Sequence, residues 1–181
     1  MKAGSALFIT YDGLTDPLGG SQILPYVRSI AAHPRDVHVL SFEKPARYAA
    51  SGGELAARLS EEGIGWTPLA FSTGGKVSKA RDLARMYAAA VKLVVKHRFR
   101  IVHCRSYQAA QVGRLLKRVF RTKLLFDMRG LWVDERMDGG IWSQERVSDR
   151  LAYGYYKRVE RVLLKSADHV VALTHRVVPE L

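Results

Sequence analysis

Three short polar segments concentrate the residue types that could do chemistry. Asp12, Gly13, Gly19, Gly20, Ser21 and Gln22 follow the first apolar run, Arg105, Ser106 and Tyr107 the fourth, and Asp127, Arg129, Trp132, Asp134 and Glu135 the fifth. An apolar core has no need of such a set. Asp127 closes an apolar run two residues before Arg129, so its carboxylate can sit partly buried beside a cation, placed to accept a proton or bind a hydroxyl. A structural ion pair with Arg129 is the competing reading, since such pairs also form at strand ends. Gly19 and Gly20 stand just before a helical run that starts at Gln22. There they would let the backbone approach a phosphate or sugar at a helix N-terminus, or would simply form a turn capped by Ser21.

Other motifs fail on spacing. A dinucleotide fingerprint needs G-x-G-x-x-G at the strand end, whereas five residues separate Gly13 from Gly19, and Glu43 is a lone match for the ribose-binding acid. Gly74, Gly75 and Lys76 lack the spacing of a P-loop. His103 is expected to point into packing, and His169 and His175 are too scattered for metal ligation, so no metal is expected. Cys104 is the single cysteine and reads as a small buried side chain.

These segments must be positioned by the elements that precede them. Apolar runs rich in β-branched residues at 6–11, 37–42, 64–67, 101–104, 123–126 and 169–173 alternate with amphipathic stretches, the pattern of a doubly wound parallel α/β sheet of Rossmann-like type. Helices are expected over 78–96, with Leu83, Met86, Tyr87, Ala90, Val91 and Val94 inward, and over 145–165, with Val147, Leu151, Tyr155, Val159 and Val162 on one buried stripe. The least structured stretches are 12–20, 72–76 and 129–142, and a further helix begins at 177–181. With strand order 3-2-1-4-5-6, the loops after strands one, four and five meet at the switch point, where ligands of such sheets bind.

A chain of 181 residues with 48% hydrophobic content has the size of one domain. One cysteine and no signal-peptide pattern suggest a reducing, cytoplasmic setting, and no apolar run reaches the roughly 18 residues of a membrane span. The net charge of +12, from 29 basic and 17 acidic residues, favours phosphate-bearing partners without choosing among them. Arg114, Lys117, Arg118 and Arg121, near Leu115, Leu116 and Val119, could face an anionic membrane, which would place the protein peripherally at its inner face; a solvated helix face is the plainer reading.

The segments ITYDGLTDPLGGSQILPY, IVHCRSYQAAQVG and LLFDMRGLWVDERMDGGIW, closed by KSADHVVALTHRVVPEL, resemble the N-terminal domain of glycosyltransferase family four, a GT-B group. The resemblance implies the acceptor-binding half of a retaining glycosyltransferase. Its donor would be a nucleotide-sugar, its acceptor a glycan, a lipid-linked or a small molecule, and its partner a C-terminal donor domain not present in residues 1–181. It implies no cofactor beyond the donor substrate, and no activity for this half alone. By position it makes Asp127 a catalytic-site residue, and it makes Gly19 and Gly20 the loop approaching donor phosphates or acceptor. With the switch-point argument, the substrate-binding set becomes Gly19, Gly20, Ser21, Gln22, Arg105, Ser106, Tyr107, Arg129, Trp132 and Glu135. Glu54 and Glu62 have the E-x7-E spacing of the family's C-terminal domain but read here as solvated helix charges. A nucleic-acid-binding module, prompted by the basic run 117–123, and a dinucleotide-dependent oxidoreductase are the alternatives; the first lacks a reading motif and the second its fingerprint, so no nucleic acid is expected.

Overall fold

A computed structural model describes residues 4–33 and 36–174 of the chain. Six strands, β1 (Ala6–Thr10), β2 (Val37–Glu43), β3 (Ile64–Ala70), β4 (Ile101–Arg105), β5 (Lys123–Met128) and β6 (His169–Ala172), form one sheet. Every pairing is parallel and the order is β3-β2-β1-β4-β5-β6, the doubly wound arrangement expected. Pro68, which cannot donate to a ladder, lies on the edge strand β3.

Strand alternation sorts side chains between two apolar layers. Leu7, Ile9, Val102, Cys104, Leu124 and Phe126 pack beneath α3 (Lys76–His97), α4 (Ser106–Phe120) and α6 (Val147–Ser166). Phe8, Val37, Val39 and Ile64 pack with α1 (Leu24–Ala31) and α2 (Pro45–Glu61) on the opposite face. Gly113 brings α4 close to the sheet: a Cβ there would lie 2.4 Å from Cys104 Sγ and 2.6 Å from Leu124 Cδ1. Burial pushes the Cys104 thiol up, so it acts as packing and not as a nucleophile.

Three expectations are corrected. The stretch 129–142 contains a short helix, α5 (Trp132–Asp138), with Asp134 and Glu135 in its first turn, where the helix dipole favours carboxylates. Helix α6 does not bury the whole Val147, Leu151, Tyr155 stripe, since these three side chains are 59–70% exposed. Its inward face carries Glu160 and Leu163, because Tyr107 and Lys157 hold the Glu160 carboxylate and fix the helix's rotation. On α4, Lys117 binds Asp168 and the Ser166 carbonyl, and Arg114 donates to Ser166 Oγ, so both brace the β6 junction, and of that basic set Arg118 and Arg121 are the exposed ones. The helix expected at 177–181 lies outside the described residues. No described helix is long and apolar enough to cross a membrane.

Candidate functional site

Parallel pairing dictates the centre of the site. Thr10 is in register with Arg105 and Arg105 with Asp127, so three consecutive strand ends project their last polar side chains from one face of the sheet. Arg105, only 4% exposed, lies across the switch point: Nη2 donates to Gln22 Oε1 at 2.9 Å, Nε lies 3.5 Å from Asp12 Oδ2, and Nη1 lies 3.8 Å from Asp127 Oδ2. Arg129 reaches in from the loop after β5, its Nη2 donating to the same Gln22 oxygen at 2.8 Å and its Nη1 standing 3.9 Å from Asp127 Oδ1. Burial and the neighbouring Arg129 cation lower the Arg105 guanidinium from its ordinary value, against the opposing pull of Asp127 and Asp12.

His103 joins this centre, although its spacing suggests only packing. Its ring lies against Phe8 and Tyr26, with centroids 4.5 and 5.3 Å away, and its buried Nε2 stands 3.8 Å from Asp127 Oδ2 with no hydrogen-bond partner among the described residues. The signal was available: His103 and Arg105 are two residues apart on one strand and so share a face.

The first loop is built differently from the expected cradle. The chain turns into helix at residue 17, and Gly19–Ile23 form a π-helical turn continuous with α1, so the glycines lie inside the helix and not before it. Gly20 N–H donates to the Asp16 carbonyl, and Ser21 Oγ donates to the Pro17 carbonyl and caps nothing. Gly19 is there for close packing, as a Cβ would meet Gly13 O at 2.2 Å and Leu14 Cα at 2.6 Å. Gly20 and Ser21 face solvent, while the side chain of Gln22, the next residue, reaches the centre. A π-turn of this kind widens the helix by one residue and is frequent at functional sites.

Glu43 shapes the loop after β1. Its buried carboxylate accepts the Leu14 and Thr15 N–H groups at 2.8 and 3.0 Å and the Thr15 and Ser41 hydroxyls at 2.6 and 2.5 Å. It reads protein, not ribose. Asp82 does the same for the loop after β3, accepting the Ser72 N–H and hydroxyl and the Tyr11 hydroxyl. Burial and that bond to Asp82 push the Tyr11 phenol up to about 12.

Tyr107, Trp132 and Glu135 support the loop after β5 instead of lining it. Tyr107 is buried, donates to Glu160 Oε2 at 2.6 Å and lies 3.2 Å from the Gly130 carbonyl. Trp132 is enclosed by Trp142, Tyr156 and the Arg136 guanidinium, the last 4.4 Å above its ring. Glu135 leans over Gly130, where a Cβ would stand 2.2 Å from its Oε1. Open hollows lie beside α1 at Tyr26, Ser29, Ile30 and His33, the first of which also contacts His103, and between α3, α4 and α6. Glu54 and Glu62 pair with Arg58 and Arg28 at the surface, as their helix placement suggests.

Ser106 opens α4 with φ +74°, a left-handed conformation that a side chain makes costly. Its neighbours Arg105 and Tyr107 are both fixed, one by the site and one by Glu160, which forces the backbone between them. Ser106→Gly should therefore raise the melting temperature by roughly 2–4 °C, corresponding to about 1 kcal/mol of relieved strain in a chain of this size. Ser106→Ala keeps the Cβ and should not. Thermal melts of the three proteins side by side decide it, and an equal rise in both variants would remove backbone strain as the cause.

A parallel α/β sheet with a polar, charge-dense switch point defines a class of Rossmann-like ligand-binding domains. Within it, residues 19–181 match the glycosyl transferase 4-like domain, and the chain belongs to that family. No curated protein matches the chain. Among solved structures, it is similar to sucrose-phosphate synthase from Thermosynechococcus elongatus, with TM-score 0.59 and 14% identity over 93% of this chain and 42% of that one. It is also similar to HepE of Anabaena, solved with UDP and glucose, with TM-score 0.53 and 15% identity over 93% of this chain and 38% of that one. The glycotransferase of kitacinnamycin matches with TM-score 0.52 and 14% identity over 92% and 41%. At these identities the likeness is one of fold, and the chain spans about two-fifths of each of these structures.

Proposed function

We propose that this chain is the acceptor-side half of a retaining, nucleotide-sugar-dependent glycosyltransferase, working with a donor-binding domain of the same protein. The observation that carries the reading is the convergence of Asp12, Gln22, Arg105, Asp127 and Arg129 at the carboxyl ends of β1, β4 and β5, in a chain of the glycosyl transferase 4-like family. The complex of HepE with UDP and glucose supports a nucleotide-sugar as donor.

Sugar transfer from a diphosphate asks the protein mainly to position the acceptor and stabilise the leaving group. In this half, Asp127 would accept a hydrogen bond from the attacking hydroxyl, with Arg105 and Arg129 standing 3.8 and 3.9 Å from its carboxylate. The donor half would carry the nucleotide. The test is a transfer assay of the full-length protein with a panel of UDP-, GDP- and TDP-sugars, reading the anomeric configuration of the product by NMR. Retained configuration is expected with the full-length protein and no turnover with the 181-residue chain alone. An inverted product, or turnover by this chain alone, would overturn the assignment.

A further inference from the structure

Two guanidinium groups converge on one neutral oxygen at the switch point. Arg105 and Arg129 each make their shortest contact to Gln22 Oε1, at 2.9 and 2.8 Å, while their carboxylate neighbours Asp12 and Asp127 stand back at 3.5–3.9 Å. Guanidinium groups left to choose close on anionic oxygens at about 2.7–2.9 Å, often through two parallel bonds. Here the best-placed acceptor carries no charge, and the two cations, Arg105 buried and Arg129 half-buried, converge on it. Gln22 itself is exposed on the π-helical turn, so its carboxamide can leave without disturbing the core. His103 and Tyr26 complete the wall on the sheet side, and neither supplies an anion.

We propose that the Gln22 carboxamide holds the seat of an anionic oxygen, and that Arg105 and Arg129 bind an acidic group of the acceptor, a phosphate or a carboxylate. The inference rests on the acceptor-side reading and narrows it to acceptors that carry such a group close to the hydroxyl that is glycosylated. An incoming anion replaces the amide oxygen, draws both guanidinium groups onto itself, and leaves Asp127 free of them to meet the hydroxyl.

The experiment titrates the 181-residue chain at low salt with inorganic pyrophosphate in one arm and glucuronate in the other, which separates a phosphate from a carboxylate source. Binding is read from the Arg Nε–H and Gln22 side-chain amide signals by NMR. One or both anions should shift the Arg105, Arg129 and Gln22 signals. Gln22→Glu, which places a carboxylate in the seat, should weaken that binding at least about tenfold, as a like charge opposes the ligand, and should raise the melting temperature. Exchanging the surface cations Arg118 and Arg121 for Gln should leave it unchanged. Equal affinity in wild type and Gln22→Glu, or shifts confined to surface arginines, would overturn the proposal. Since no sugar transfer is involved, such a failure leaves the glycosyltransferase reading intact, whereas a failed transfer assay would remove the acceptor as the source of the anion and leave the anion seat itself to be judged by this titration.

Discussion

Glu43→Gln should lower the melting temperature by roughly 6–12 °C, from a loss of about 3 kcal/mol at 2–4 °C per kcal/mol in a chain of this size. Four donors converge on the Glu43 carboxylate, two of them main-chain N–H groups of residues 14 and 15, and the side chain is 1% exposed. A carboxamide offers one oxygen in place of two, and its NH2 would point at a donor already in place. Either the Leu14 N–H and the Ser41 hydroxyl, which share Oε1, or the Thr15 N–H and hydroxyl, which share Oε2, are then left without an acceptor. The Ser41 hydroxyl is also fixed from behind by Trp66 Nε1–H at 2.8 Å, so it cannot turn to relieve the clash. Thr15→Val removes a single bond and should cost about 1 kcal/mol. Denaturant and thermal unfolding of wild type, Glu43→Gln and Thr15→Val provide the check. A Glu43→Gln protein melting within 2 °C of wild type would mean that the carboxylate does not hold the loop.

Glu43 also shows why parts of the site were illegible in sequence. Strand periodicity and the β-α alternation dictate the sheet order, because every helix must cover apolar strand residues and each crossover has one hand. That order, in turn, brings the loops after β1, β4 and β5 together, so Arg105, Asp127 and Arg129 could be grouped from strand ends alone. What spacing does not carry is the local path of a loop. The glycine pair reads as a helix start, yet the turn begins earlier because Glu43, 28 residues beyond Thr15, captures residues 14 and 15 and launches the chain into helix at residue 17. The same limit applies to Tyr107 and Trp132. Their types suit a sugar site, but Glu160 and Arg136, distant or on another turn, decide that they face inward. On α6, an apolar stripe at helical spacing was a sound sign of a helix and a poor sign of which face is buried, since one buried carboxylate outweighs three exposed apolar side chains in fixing rotation. His103 packs as expected, against Phe8 and Tyr26, and spacing does not reveal that the same ring also stands beside Asp127.

Replacing Asp127 with Asn should reduce sugar transfer by the full-length protein about 100-fold or more while leaving the fold intact, if the carboxylate takes up the proton of the attacking hydroxyl. The fold should survive because Asp127 is not held by short bonds: Arg105 and Arg129 stand at 3.8 and 3.9 Å and His103 at 3.8 Å, and the strand on which it sits is paired on both sides. The isosteric amide keeps that packing and can still donate to a substrate oxygen, but it cannot receive a proton. A purely structural aspartate behaves differently, because losing it would free two cations and shift stability more than turnover. The two roles therefore separate in paired measurements, kcat and KM for wild type and variant beside their melting curves. A fall in kcat at constant KM and an unchanged melt assigns Asp127 to the chemical step. A fall in melting temperature with turnover preserved would make it a partner of Arg105 and Arg129 only and would leave the proton to another group.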